Sequence, residues 1–259
     1  MASTVTGGVS ASQGKHGAIA TAATSIHAGR AQNEKNQLSE NAKLVVVRGA
    51  DGFAYRRSVQ VFFVNERAEF LLCHPVGKGN ENFRQTVQGG SEAGESPQQT
   101  AQRETWEEIG LDLDKDAKFV CTVLPTTTTA PEGKEEEEET RNDKNEITSE
   151  RRKAFRYRSK TWRKLGIIGQ ELYPLLYMME HSHLQRVDTH GQTRGVRDEF
   201  RSVEWGSLVD LVDKAPPAKK EVMHSVCRAV AAAAKPFLES RGYPTTGLKS
   251  LLSTKPPTS

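Results

Sequence analysis

Up to residue 43 the chain shows neither a helical nor a strand hydrophobic period, and no aromatic side chain occurs there. Its Ala, Ser, Thr and Gly content predicts a disordered extension over 1–43. From Leu44 the pattern changes. Short β-branched and aromatic runs at 44–47, 59–64 and 70–73, parted by Asp51-Gly52 and Asn65-Glu66, predict strands. A helix is expected over 96–109, with Ser96 as N-cap, Pro97 at the first helical position, Gln99 completing a capping box and Gly110 closing the end. A strand follows at 119–124. The stretch 126–150 holds Pro131-Glu132-Gly133 and the run Glu135 to Glu139, and is expected to be a solvated acidic insertion. Further strands are expected at 172–179 and 203–205, the latter passing into a helical turn at 208–212. After Pro216-Pro217 a helix is predicted to about Phe237, with Val222, Val226, Val230, Ala233 and Phe237 as its apolar stripe. The expected organisation is one α/β domain over 44–243 with a flexible tail over 244–259.

A chain of 259 residues can bury a core without disulfides. Cys73, Cys121 and Cys227 are odd in number and widely spaced, which argues against both a disulfide framework and a cysteine zinc site. No apolar run reaches membrane-spanning length, so no membrane partner is expected. The net charge of +3 hides an asymmetry: residues 131–150 hold nine acids and three bases, which leaves +9 on the rest. Such a surplus suits a phosphate-bearing ligand. The expected compartment is cytoplasmic, with a mitochondrial alternative because Lys15 and Arg30 precede the first acid, Glu34.

The chemistry concentrates in the predicted helix. Glu104, Glu107 and Glu108 stand at i, i+3 and i+4, which places three carboxylates on one helical face, where like charges repel. A divalent cation is a natural reason for such crowding, and oxygen-only ligation favours Mg²⁺ or Mn²⁺ over zinc. The bland alternative, a solvated charged face, loses ground once the whole spacing is read. Gly89, five residues, Glu95, seven residues, Arg103-Glu104, then Glu107-Glu108, one residue and Gly110-Leu111 resembles the Nudix box. The one departure is Thr105, where that family has an aliphatic residue; a small packing cost is expected from it.

The resemblance implies a Nudix α/β/α sandwich with a mixed β-sheet, and metal-dependent hydrolysis of a nucleoside diphosphate linked to another group. It implies that Glu104, Glu107, Glu108 and the Gly89 carbonyl ligate the metal, that Glu95 and Arg103 brace the loop, and that Gly110 ends the helix. Outside the box the chain resembles the branch of RNA pyrophosphohydrolases and asymmetrical diadenosine tetraphosphate hydrolases. The matching segments are Tyr55-Arg56-Arg57-Ser58-Val59, Gln88-Gly89-Gly90, Arg156-Tyr157-Arg158, Gly169-Gln170-Glu171, Glu199-Phe200 and Lys219-Lys220-Glu221-Val222. By that resemblance Glu199 would add a metal ligand or take a proton from water, with Glu107 and Glu108 as its catalytic partners. Arg56, Tyr157, Arg158 and Lys219 would contact substrate. Arg84 to Val87 and Ala218 depart from the branch by lacking aromatics, which weakens the expectation of base stacking there.

The leading expectation is a pyrophosphohydrolase of dinucleoside polyphosphates such as diadenosine tetraphosphate. The alternatives are a pyrophosphohydrolase acting on triphosphorylated or capped RNA 5′ ends, and a Nudix-fold binding subunit of a ribonucleoprotein assembly. Residues 151–164, with eight bases and no acid, suit an RNA-facing stripe or simply balance the acidic insertion. The sequence points to no particular protein partner. His181 and His183 lack a third ligand at metal spacing and are expected to be exposed loop residues.

Overall fold

A computed structural model describes residues 43–125 and 154–253; the extension over 1–42, the insertion over 126–153 and the last residues, 254–259, lie outside the described part. The described residues contain eight strands, in the order β1 (Val46–Arg48), β2 (Ala54–Val64), β3 (Phe70–Pro75), β4 (Val87–Gly90), β5 (Lys118–Thr122), β6 (Phe155–Arg158), β7 (Ile167–Met178) and β8 (Phe200–Gly206). Among the described residues five α-helices join them: α1 (Pro97–Ile109), α2 (Leu113–Asp116), α3 (Leu208–Asp213), α4 (Lys220–Glu239) and α5 (Lys249–Ser253).

The strands form one mixed sheet with β5-β7-β2-β3-β8 as its spine. β2 and β7 are parallel along eleven positions, and the other pairings are antiparallel. On its other edge β2 is covered in turn by β1, β4 and β3. β5 and β6 lie end to end along the same edge of β7, and at their joint the Val123 N–H donates to the Pro174 carbonyl at 2.9 Å.

Alternation along β2 divides the core into two layers. Phe62 and Val64 face α3, α4 and α5, meeting Val226, Val230, Ala234 and Leu238. Val59, Val61 and Phe63 face α1, meeting Ala101, Ile109 and Leu111. Helices therefore cover both faces of a mixed sheet, which is the expected α/β/α sandwich. Each fully buried aliphatic side chain contributes roughly 1.5–3 kcal/mol to holding these layers together.

The structure corrects several expectations. The buried stripe of α4 continues through Ala234 and Leu238, while Ala233 and Phe237 sit at its margin, because a straight helix carries the stripe onward in four-residue steps. The tail after Tyr243 does not hang free as far as it is described: a 3-10 turn at Thr246–Leu248 leads into α5, and Leu248 and Leu251 are buried in the α4 layer. His181 and His183 lie in a 3-10 segment, half-buried, with the His181 ring stacked on Trp205. No described helix is long and apolar enough to cross a membrane.

Candidate active site

The site is built around α1, whose ends are defined by local chemistry. The Ser96 side chain accepts from the Gln99 N–H at 3.2 Å, and the Gln99 side chain accepts from the Ser96 N–H at 2.8 Å. At the other end Gly110 has φ +69°, the left-handed conformation that favours glycine, and its N–H donates to the Trp106 carbonyl. With both ends fixed, the helix phase turns Thr105 and Ile109 into the core and leaves Trp106 outside. Glu104 and Glu108 are buried at the edge of the sheet, beside the half-exposed Glu107.

Arg103 ties this helix to the preceding loop. Its guanidinium donates to both oxygens of Glu95 at 2.7 and 3.0 Å, to the Gly90 carbonyl at 2.9 Å, to Glu104 at 2.7 Å and to Glu107 at 3.2 Å. Glu95 also accepts from the Glu92 N–H and the Thr100 hydroxyl. Chiefly through Arg103, its carboxyl is held at about 2. The loop is thus anchored by charge-assisted hydrogen bonds on both sides of the Gly89-Gly90 strand end.

The carboxylates crowd one another. Burial pushes Glu108 well above the ordinary range; Glu104, Glu199 and Glu107 add to this, and the Gln88 N–H, donating at 3.3 Å, opposes it. Burial also raises Glu104, with Arg103 acting against it. Gly89 lies directly under Glu104: a Cβ at this position would occupy the space of that carboxylate. Among the described residues no three Asp, Glu, His or Cys side chains converge into a ready cage, because Arg103 spans Glu104 and Glu107. The donors nevertheless fit a hard divalent cation. They are all oxygens, they include a buried carboxylate under like-charge stress, and a cation would relieve that stress.

The opposite face of β4 has a different chemistry. Gln88 donates to the Tyr157 hydroxyl at 3.4 Å and to the Gln170 side chain at 3.1 Å, and it accepts from Lys219 at 3.3 Å. Ser58 donates to the same Gln170 oxygen at 2.6 Å. The Lys219 ammonium lies 5.3 Å from the Tyr157 ring centre; burial lowers its pKa, and Glu108 and Glu199 pull it back up. Arg56 is lodged against Gly90, where a Cβ would meet its guanidinium, and it stacks on Trp162 at 4.9 Å. Two buried atoms on this face, Arg56 Nε and Gln60 Oε1, have no hydrogen-bond partner.

Most residues singled out from the sequence therefore meet at β4. Glu199 is exposed on the loop before β8, close enough for its charge to act on both Glu108 and Lys219. Arg158 is the exception. It is exposed and its guanidinium lies over Phe53 at 5.9 Å, because alternation along β6 turns it away from the Tyr157 side. The roles of Trp162 and Gln60, and the joint role of Ser58 and Gln170, were not anticipated. Only the sheet register brings Gln60 opposite Gln88, and Ser58 opposite both Gly90 and Leu172.

A family model described as NUDIX domain matches residues 54–226. RNA pyrophosphohydrolases of Vibrio atlanticus and Vibrio cholerae serotype O1 are each 36% identical over 72 residues, 28% of this chain and 40% of theirs. The chain thus spans about two fifths of the length of these curated relatives. Among solved structures, a C. elegans Ap4A hydrolase binary complex aligns with a TM-score of 0.41 and 14% identity, covering 71% of this chain and 98% of that one. A MutT protein from Methanosarcina mazei Go1 aligns with a TM-score of 0.37 and 15% identity, covering 67% and 94%.

Proposed function

This chain belongs to the Nudix family, and from that premise we propose that it is a pyrophosphohydrolase that cleaves dinucleoside polyphosphates such as diadenosine tetraphosphate, with Mg²⁺ or Mn²⁺. The observation that carries the reading is the division of β4: a carboxylate face and a cationic, amide-lined face lie back to back and are linked through Gln88, which touches both Glu108 and Lys219.

Glu104, Glu107, Glu108 and the Gly89 carbonyl would hold the divalent ion. When bound, that ion supplies charge neutralisation at the phosphoryl oxygens and makes water easier to deprotonate. Glu199, exposed at the rim, accepts the proton of the attacking water. Arg103 keeps the helix and loop in fixed relation, so the carboxylates need little reorganisation. Lys219 and Arg56 bind the polyphosphate, and their partly buried settings strengthen each charge contact. Gln88 and Tyr157 orient the Lys219 ammonium.

A second reading, removal of pyrophosphate from RNA 5′ ends, draws support from the names of the Vibrio relatives and from the base-rich β6–β7 hairpin with Lys160, Arg163 and Lys164 exposed at its tip. One experiment separates the readings: hydrolysis of diadenosine tetraphosphate and of 5′-triphosphorylated RNA, side by side in Mg²⁺ and Mn²⁺, with Glu107→Gln as control. Dinucleotide cleavage that disappears in the variant supports the proposal, and faster turnover of RNA replaces it with the second reading. Tight nucleotide binding with no cleavage of either substrate would overturn both and favour a binding subunit.

A further inference from the structure

The loop that carries Glu199 is fastened to the end of the carboxylate helix by a side chain to which neither the box nor the proposed mechanism gives a part. Arg194 is almost fully buried, its side chain only 7% exposed. Its guanidinium donates to the Glu107 carbonyl at 3.3 Å, to the Asp188 carboxylate at 2.8 Å and to the Asp188 carbonyl at 2.7 Å. The Asp188 N–H in turn donates to the Ile109 carbonyl at 3.0 Å. Two carbonyls in the last turn of α1, which have no partner within a helix, are thereby satisfied from this loop. A cation at that end also complements the helix dipole. Gly110 fits the arrangement sterically, since a Cβ there would come within 3.0 Å of the Arg194 guanidinium and 3.3 Å of the Asp188 carbonyl.

From this clasp the loop runs to Glu199 with little slack. The Gln192 N–H and side-chain amide both reach Asp198, the Val196 N–H donates to Gly191, and Gly191 packs against the Arg197 backbone. Beyond the clasp the Glu199 carbonyl accepts from the Val76 N–H at 2.9 Å, and Phe200 is buried in the α1 layer. Glu199 therefore sits between two anchors, one on α1 and one just past the end of β3.

We infer that Arg194 is a positioning residue: with Asp188 it docks the 187–199 loop on the C-terminal end of α1 and so sets the distance between Glu199 and the carboxylates Glu107 and Glu108. This rests on the Nudix reading of those carboxylates. Displacing a reacting group by about 1 Å costs on the order of 100-fold in rate.

The test compares Arg194→Gln, Arg194→Lys and Asp188→Asn with wild type, and uses Arg186→Gln, which removes an exposed pairing with Asp116, as control. For each, thermal unfolding, kcat and KM with diadenosine tetraphosphate, and hydrogen exchange over 187–200 are measured. The expected result is a fall in kcat of about 10- to 100-fold in Arg194→Gln with KM within about threefold of wild type. Arg194→Lys recovers part of the loss, Arg186→Gln is unchanged, and exchange in the loop is faster in the Arg194 and Asp188 variants only. Wild-type kcat in Arg194→Gln, or a loss that merely follows the folded fraction, overturns the inference. If wild type cleaves no nucleotide, the functional reading has failed. The clasp is then judged by exchange: protection over 187–200 that is the same in Arg194→Gln as in wild type overturns it.

Discussion

Val87 and Gly89 turn toward α1, while Gln88 and Gly90 turn toward Tyr157, Arg56 and Lys219, so four residues of β4 separate two unlike environments. On the α1 side most charges are tied to one another: Arg103 alone makes hydrogen bonds to three carboxylates and a carbonyl, and Glu95 is held from three directions. On the other side the Gln88 and Gln170 amides and the Tyr157 ring neighbour the Lys219 ammonium, the Arg56 guanidinium lies between Gly90 and Trp162, and Arg56 Nε and Gln60 Oε1 are left without partners. The first side is arranged to keep carboxylates in place at considerable electrostatic cost; the second presents an ammonium, a guanidinium and amides, donors that suit an anionic ligand. An unpartnered buried polar atom costs about 1–3 kcal/mol, and such a cost is commonly recovered when a substrate supplies the missing partner.

The contrast can be broken most severely at Glu108. Glu108→Gln keeps the shape and removes the buried charge, so hydrolysis should fall by about 100- to 1000-fold while thermal stability is retained or rises. Parallel rate and unfolding measurements check both halves. Next come the adjacent glycines, which sharpen the comparison because they address one face each. Gly89→Ala presses on Glu104 and should lower kcat about 10- to 100-fold, whereas Gly90→Ala presses on Arg56 and should act mainly by raising KM. Equal effects of the two on kcat and KM would mean that the faces are not functionally distinct.

Smaller effects report on the helix itself. Thr105 is fully buried with its hydroxyl unpartnered, so Thr105→Val should stabilise the protein by about 1 kcal/mol, seen as a higher urea midpoint, without altering kcat. Finally, Glu95 has a folded pKa of about 2 against an ordinary value of 4.5. A depressed carboxyl contributes stability that is present above the unfolded value and is lost as pH falls toward the folded one. Wild type should therefore lose its advantage over Glu95→Gln between about pH 4.5 and about pH 2, a difference that solvent screening keeps below about 1 kcal/mol.

What could be read in advance follows the range of each interaction. The Ser96–Gln99 box, Pro97 and Gly110 act within a few residues, and α1 begins and ends where they place it. The spacing of Glu104, Glu107 and Glu108 is likewise local. Gln60 and Ser58 become part of the site only through β2–β4 and β2–β7 register, which no window along the chain reveals. Arg158 and Tyr157 belong to one segment of the resemblance, yet strand alternation sends them to opposite faces. Arg194 stands 87 residues from the Glu107 carbonyl it holds. Residues 246–253 look like a loose Pro- and Thr-flanked end, and only the surface offered by α4 makes burial of Leu248 and Leu251 favourable.

Pro174 has a consequence for how this fold can change. It has no N–H, and its carbonyl already takes the last hydrogen bond before β5 and β6 part along the edge of β7. Cutting the edge strand opposite this residue therefore removes no donor–acceptor pair from the ladder. The joint is therefore a point at which chain length between β5 and β6 can change without opening the ladder. For the same reason it is the place at which a fluorescent reporter or affinity tag can be grafted into the domain.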